Sequence, residues 1–275
     1  MRPWIVRPMT FADTYQSAFV ASRAYHDTKF TEFLSPHRRQ YPADYIRGFQ
    51  QRITSRLLCA NNRSWVAVAE DEPNVPVAYM QCERLGDDEG AKQVINEKKS
   101  IWLSMKKFWY DTWVTISNKI WPDRSTMDAA DLAVFFKAQD GEEDKHWNSH
   151  PERANRWYCR SMVVSQEWQR RGIGRVLMNK VVALADEQNV PIQLEASPEG
   201  EWLYRSVGFQ LLDRFMTAFG EVEKNQGGVM IYNPQKKDEA LQAEGSATAK
   251  ETSGGALKKD LEIEPTILEV PVASQ

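Results

Sequence analysis

The chain reads Val163-Val164-Ser165-Gln166-Glu167-Trp168-Gln169-Arg170-Arg171-Gly172-Ile173-Gly174-Arg175 at the point that decides its fold. An apolar strand runs into a basic turn with two glycines, and the turn opens a helix. The helix is predicted by apolar residues at helical spacing, namely Ile173, Val176, Leu177, Val181 and Leu184. Backbone N–H groups at such a helix start form an anion site, and glycines without a Cβ let a phosphate come close. With Arg170, Arg171 and Arg175 adding positive charge, the turn is predicted to bind a pyrophosphate.

Composition favours a globular intracellular protein. The 275 residues suffice for one large domain or two small ones, and a hydrophobic fraction of 42% supports a sizeable core. The net charge of −3 provides no global field for nucleic acid or anionic membranes, so we expect neither a nucleic-acid partner nor stable membrane association. The oligomeric state stays open.

Cysteine spacing and segment hydropathy bear on metal binding, disulfide bonds and cellular location. Cys59, Cys82 and Cys159 lie far apart without a CxxC pair, which argues against a zinc site or a disulfide framework. We therefore expect no metal. The N-terminus lacks the apolar run of a secretory signal and no stretch is apolar enough to span a bilayer, so we expect a cytoplasmic location, with a nuclear one left open.

Strand and helix patterns predict a domain over residues 1–235 and a mobile tail over 236–275, where the sequence becomes polar. Between about 87 and 154 the pattern changes to a helical insertion. One long amphipathic helix is predicted there from Ile95 to Ile120, with Pro122 ending it. A shorter helix around Leu132 to Phe136 and a polar loop from Gln139 to Pro151 follow.

The glycine turn alone leaves several interpretations open. A Rossmann turn would require glycine at position 177, where the chain has Leu177, and a Walker loop would require Gly-Lys-Ser/Thr, which is missing. A turn of this kind can also be loop geometry without any ligand.

A second motif lies one strand downstream, in Leu203-Tyr204-Arg205-Ser206-Val207-Gly208-Phe209. Together with Gln169-Arg170-Arg171-Gly172-Ile173-Gly174, it makes the chain resemble the GNAT superfamily of acyl-CoA-dependent N-acyltransferases. Those two stretches match the family signatures Q/R-x-x-G-x-G/A and L-Y-x-x-x-G-F in the same order. The resemblance covers roughly residues 2 to 233, with the helical segment as an insertion.

This resemblance implies an α+β fold with a mixed, mostly antiparallel sheet, splayed central strands and flanking helices. It implies that acetyl-CoA is the cosubstrate. Val163 and Val164 would pair with the pantetheine arm, and the amides of residues 169 to 175 would hold the pyrophosphate. Tyr204 would contact the cofactor and protonate the leaving thiolate, since a phenol is neutral at pH 7 with a pKa of about 10.

Three further residues have alternative roles. Many family members have Asn at the position of Ser197, which would contact the cofactor arm with a shorter side chain. Glu195 is a candidate general base for the acceptor amine, or a strand-end cap of the next helix. Glu83, at the end of a hairpin strand, is a second candidate base, and a water relay is a third option.

The aromatic residues of the insertion have competing interpretations. Trp109 and Trp113 are predicted to line the acceptor pocket, as rigid aromatic surface. The same stripe also suits structural packing, an oligomer surface or a membrane-surface helix, because several lysines lie near it.

The expected function is transfer of an acetyl group from acetyl-CoA to a primary amine of a small molecule, by direct attack in a ternary complex. The alternatives are a protein or peptide N-acetyltransferase, a non-catalytic acyl-CoA-binding regulatory protein and a nucleotide-binding module.

Overall fold

A sheet of seven strands forms the centre of the chain in the computed structural model, which describes residues 2–128, 140–141, 143–214 and 227–234. Contacts divide the chain into Met1–Gln235 and Lys236–Gln275. The second unit, the predicted tail, lies outside the described residues, as does most of the helix predicted around Leu132.

The strands follow the spatial order β1-β2-β3-β4-β5-β7-β6, and each neighbouring pair is antiparallel except β4 and β5. This mixed, mostly antiparallel sheet confirms the predicted fold class. The strands are β1 Trp4–Pro8, β2 Asn62–Ala69, β3 Glu72–Leu85, β4 Arg156–Val164, β5 Ile192–Ala196, β6 Gln210–Asp213 and β7 Gly228–Tyr232.

Helices cover both faces of the sheet, because each face is apolar. One core lies between the sheet and α1 and α3, and the other lies beneath α4, α6 and α7. The helices are α1 Thr14–Tyr25, α2 Lys29–Leu34, α3 Pro42–Leu57, α4 Glu89–Lys98, α5 Ile101–Ile120, α6 Ile173–Gln188 and α7 Pro198–Ser206.

The parallel strands β4 and β5 separate soon after they meet. Their register pairs only Trp157 with Ile192 and Tyr158 with Gln193, although both strands continue beyond these residues. The edge of β4 beyond Tyr158 therefore opens into a cleft. On the other edge of β4, the pairing with β3 skips Arg160, which forms a bulge that redirects the strand at the cleft.

The segment between β3 and β4 differs from its prediction in two ways. The single helix predicted from Ile95 is two helices, because the backbone at Lys99 is extended and the Ser100 side chain caps a new helix by accepting from the Leu103 amide at 3.0 Å. The polar loop contains a helical turn over Asp144–Asn148, whose Trp147 packs in a small core with residues of β7.

The short helix α2 was not predicted, since six residues carry too little periodicity. Within the ranges described above, no helix combines the length and apolar character needed to cross a membrane.

Candidate active site

The glycine turn joins β4 to α6 and has the backbone of an anion site. Trp168 is buried beneath it, and both Arg170 (φ 57°) and Gly172 (φ 82°) adopt left-handed conformations. The first-turn amides of α6 have no intrahelical acceptor and point out of the helix start. A Cβ placed on Gly172 would meet no atom within 4 Å, so the space beside the turn is open. These features fit a bound pyrophosphate.

The polar side chains of the turn differ in their exposure and in their partners. Arg170 is exposed, whereas Arg171 lies over the Trp168 ring at 4.6 Å. Arg175 donates to the Ser206 hydroxyl at 3.1 Å, and Gln169 donates to the Val164 carbonyl at 3.2 Å. The structure thus brings three cationic side chains to the turn, while Gln169 fastens the end of β4.

Gly174 lies where two helices pack closely. A Cβ at this position would lie 2.8 Å from Cδ2 of Leu203, with Met162 and Val164 also near. A small residue is therefore favoured here by the close packing of α6 against α7, and the approach of a phosphate to Gly174 stays a prediction. Because Leu203 begins the second motif, the two motifs are in direct contact.

Val163 and Val164 form the last residues of β4 at the cleft. Through one edge they pair with Tyr79 and Ala78 of β3, and the other edge is beyond the pairing with β5. The Val164 carbonyl already accepts the bond from Gln169. The strand edge at these two residues is where an extended ligand chain would add to the sheet.

Tyr204 lies at the inner end of the cleft, on α7. Its ring is buried and packs on Phe209 with centroids 5.8 Å apart. Burial raises the pKa of the phenol well above 10, and the proximity of Cys159 and Tyr25 adds to the effect. The hydroxyl therefore stays protonated at neutral pH and is available as a proton donor.

Glu195 occupies the opposite strand of the cleft. One carboxylate oxygen accepts from the Tyr158 hydroxyl at 2.8 Å, and the other accepts from the Gln193 amide at 3.3 Å. The side chain reaches solvent, yet desolvation by surrounding protein raises its pKa above 4.5, although both hydrogen bonds act in the opposite direction. A raised pKa suits a proton acceptor.

The alternative role of Glu195 as a helix cap is wrong. Ser197 caps α7 by accepting from the Gly200 amide at 3.2 Å. Ser197 therefore has a structural bond in addition to its predicted contact with the cofactor arm, which stays a prediction.

Glu83 is linked to Glu195 through two side chains of β4. Its carboxylate bonds Arg160 at 2.5 Å, the Arg160 guanidinium lies 3.8 Å from the Tyr158 ring centre, and Tyr158 bonds Glu195. The structure thus brings both candidate bases into one polar network on the cleft wall.

Three further polar residues at the cleft were missed by sequence analysis. The Tyr79 and Ser161 hydroxyls are 2.8 Å apart, and Tyr25, at the end of α1, interacts with the same serine. Burial raises the pKa of both tyrosines. No local pattern marks these residues, because they come from three separate elements that only the sheet order brings together.

Trp109 and Trp113 are not brought to these residues by any described contact. They are 64% and 54% exposed, and α5 packs on α3 through its opposite side, where Ser55 bonds Asp111 at 3.2 Å and Gln51 bonds Asn118 at 3.0 Å. Their role as an acceptor wall stays a prediction. In the part of the chain that the structure describes, no group of three metal-ligating side chains occurs.

A family model described as an acetyltransferase (GNAT) domain matches residues 133–211. This range contains the glycine turn, the cleft strands and the tyrosine motif.

One solved acetyltransferase structure shares the fold, and two others are similar at lower TM-scores. A structure from Corynebacterium glutamicum, described as histone acetyltransferase HPA2 and related acetyltransferase, is 18% identical in sequence to this chain. The match has a TM-score of 0.52 and covers 84% of this chain and 96% of that one. NAA60 from Arabidopsis thaliana, in complex with a bisubstrate analogue, is 12% identical with a TM-score of 0.45, over 84% and 98%. The paia N-acetyltransferase of Thermoplasma acidophilum, in complex with coenzyme A, is 8% identical with a TM-score of 0.44, over 84% and 99%.

Proposed function

We propose that this chain, which belongs to the GNAT superfamily of acetyltransferases, moves an acetyl group from acetyl-CoA to a primary amine of a small molecule. One observation carries the proposal. The separation of β4 from β5 creates a cleft that has a glycine turn with basic side chains at one end, a buried phenol inside and a carboxylate on its wall.

Acetyl-CoA fits the polar groups of this cleft as a substrate. The amides and arginines of the turn would hold its pyrophosphate, and the open space beside Gly172 leaves room for it. The free edge of β4 at Val163 and Val164 would take the pantetheine arm as an added strand. Ser197 would offer its hydroxyl hydrogen to that arm, since its oxygen already accepts from Gly200.

The reaction is a direct attack with no covalent enzyme intermediate. The amine nitrogen forms a bond to the thioester carbonyl carbon, and the carbon–sulfur bond breaks. Glu195 accepts the proton that the nitrogen loses, and Tyr204 gives a proton to the departing sulfur. Solvent returns one proton to Tyr204 and removes one from Glu195, so the products are an amide and a free thiol.

The environment of Tyr204 supports its role as donor. A phenol with a raised pKa holds its proton more tightly than a free thiol, whose pKa is about 8.5 in water. The desolvation that acts on Tyr204 would also act on a thiolate formed beside it and raise its affinity for a proton. The transfer would therefore occur as the carbon–sulfur bond breaks, when negative charge develops on sulfur.

The carboxylates of the cleft wall favour a cationic acceptor. Glu195 and Glu83 place negative charge beside the reacting centre, with Arg160 offsetting one of them. An amine that arrives as its ammonium ion would be attracted there, lose one proton to solvent before the attack, and give the second proton to Glu195 as the new bond forms. A small polyamine or amino compound satisfies this chemistry with few other contacts.

The test is an acceptor panel with acetyl-CoA and colorimetric detection of the released thiol. Small amines should release thiol in proportion to the acetylated product measured by mass spectrometry. Initial rates at varied concentrations of both substrates should give intersecting lines, as expected for a ternary complex. Turnover restricted to peptide N-termini would assign a protein acceptor, and acetyl-CoA binding without turnover would assign a regulatory role.

A further inference from the structure

Helix α5 presents an apolar face to solvent along its whole length. Nine of the seventeen large apolar side chains that are exposed in the described chain fall within the short stretch from position 101 to 121. They are Ile101, Trp102, Met105, Phe108, Trp109, Trp113, Ile116, Ile120 and Trp121. We call these nine residues the aromatic face of α5, although Trp121 follows the last helical residue as its C-cap. A concentration of this kind marks an interaction site rather than ordinary surface.

The orientation of this face is fixed by contacts on the other side of the helix. Tyr110 packs edge-on against Phe11 with centroids 6.5 Å apart, and Asp111 bonds Ser55 of α3. At the end of the helix, the Trp121 carbonyl accepts from Arg47 at 2.9 Å. Because α5 has 20 residues, the face extends for about 30 Å.

The net charge of α5 is positive, with three lysines and one aspartate. Asp111 is the one acidic residue of α5, and its carboxylate is bonded to Lys107 at 2.6 Å and to Ser55. Lys99, Lys106 and Lys119 are exposed, and none of them makes an ion pair within the described part of the chain. The helix therefore combines bulky apolar side chains with unpaired lysines.

We propose that the aromatic face of α5 docks the protein onto an anionic lipid surface, with the helix lying in the plane of the interface. Tryptophan and phenylalanine side chains enter the boundary between headgroups and acyl chains, while lysines remain with the phosphates. The net charge of the chain predicted no stable membrane association. Salt screens charges beyond about 8 Å, however, so the lysines close to the lipid surface determine the attraction and the net charge of the whole chain does not.

A second copy of the chain would complement this face less well. In a two-fold contact each patch meets its own equivalent, so the lysines of one face would meet lysines of the other. Like charges at a contact oppose association, whereas the phosphates of a lipid surface neutralise them.

The experiment is vesicle co-sedimentation of the full chain, with phosphatidylcholine vesicles that contain or lack 30% phosphatidylserine. We expect binding to the phosphatidylserine vesicles that weakens at high salt. Trp102→Glu should lower the bound fraction at least tenfold. The matched control is Trp202→Glu, since Trp202 is 74% exposed but lies on α7. Equal binding of wild type and Trp102→Glu, or no binding to either vesicle, would overturn the proposal.

A charge reversal tests the electrostatic half of the proposal without touching the apolar residues. Lys106→Glu should weaken binding to phosphatidylserine vesicles several-fold, whereas Lys180→Glu, on the exposed side of α6, should not. Unchanged melting curves would show that the variants are folded. Sedimentation velocity without lipid tests whether the chain forms a dimer through this face. A wild-type dimer that Trp102→Glu dissociates would assign the face to a second copy and overturn the proposal.

Discussion

The aromatic residues of this chain occur in two regions with opposite environments. In the cleft, Tyr204 and Tyr79 are 7% and 1% exposed, and burial raises the pKa of both. On α5, Trp102 and Trp109 are 72% and 64% exposed. An aromatic ring in the interior contributes packing and a tuned hydroxyl, whereas an exposed ring has unused area that only another surface can cover.

The comparison assigns catalysis to the buried aromatic residues of the cleft and binding to a lipid surface to the exposed aromatic residues of α5. If both assignments hold, substitutions in the cleft change turnover or cofactor affinity, and substitutions on α5 change where the protein binds. The following substitutions challenge that division, in order of decreasing expected effect.

Gly172→Glu should abolish measurable acetyl-CoA binding. The backbone there has φ +82°, which strains any residue with a side chain, and the new carboxylate would repel the pyrophosphate. Isothermal calorimetry is the measurement. Gly141→Glu is a control, because a Cβ at Gly141 also meets no atom within 4 Å. Wild-type affinity in Gly172→Glu would remove the turn from the binding site.

Tyr204→Phe should lower kcat by about 10²–10⁴, the usual contribution of general acid catalysis, while the acetyl-CoA affinity stays close to wild type. The phenylalanine ring keeps the packing on Phe209 and loses only the proton donor. Tyr15→Phe, at an exposed tyrosine of α1, is the control. If kcat is unchanged when chemistry limits the rate, the cleft tyrosine is packing alone.

Glu195→Gln should lower kcat/KM by up to about 10², the lower end of the range for a general base, because solvent reaches the open cleft. The wild-type rate should fall as pH decreases through a pKa above 4.5, since the protonated carboxyl accepts no proton. Rate measurements between pH 4 and 9 should find this acidic limb in the wild type and not in the variant. An identical limb in both would assign the base elsewhere, with Glu83→Gln the next variant to measure.

Trp109→Ala and Trp113→Ala should raise the acceptor KM by a few-fold and leave the acetyl-CoA affinity unchanged, if these side chains form the acceptor wall. Both are more than half exposed, so the cost to folding stability should stay within about 0.5 kcal/mol. Kinetics of the two variants, with vesicle binding measured on the same samples, tell the two roles apart. Unchanged KM with reduced vesicle binding would leave α5 as an attachment surface only.

Deletion of residues 236–275 should have the smallest effect. The segment has few large apolar residues before Ile263, which is too little for a separate core. Melting temperature and acetyl transfer should match those of the full chain. A decrease of several degrees in the melting temperature would mean that the tail packs on the domain.

The parts of the fold that could be predicted from the sequence are those in which a local pattern of residues determines the local structure. The two motifs, through the family resemblance they carry, predicted a mixed, mostly antiparallel sheet with splayed central strands, and β4 and β5 do separate. The first motif was informative because the turn has left-handed backbone angles at Arg170 and Gly172, and such angles restrict which residues can stand there.

The remainder depends on contacts between distant segments. Tyr25, Tyr79 and Ser161 meet because α1, β3 and β4 are neighbours in the fold, which no spacing encodes. The periodicity of α5 showed which apolar residues share one side of the helix. It could not show whether that side faces the protein core or solvent. The break at Ser100 divided a stripe that looks continuous in sequence.

The contact between Gly174 and Leu203 has a consequence for the evolutionary freedom of the chain. Because a Cβ at the first position would lie 2.8 Å from a terminal methyl of the second, Leu203 has to shift or change when a side chain is added at 174. A residue much larger than alanine at 174 becomes easier to accommodate once Leu203 has been shortened, so the order in which substitutions arise matters. The two motifs are thus coupled through this contact, and a library that varies positions 174 and 203 together would find compatible pairs that single substitutions miss.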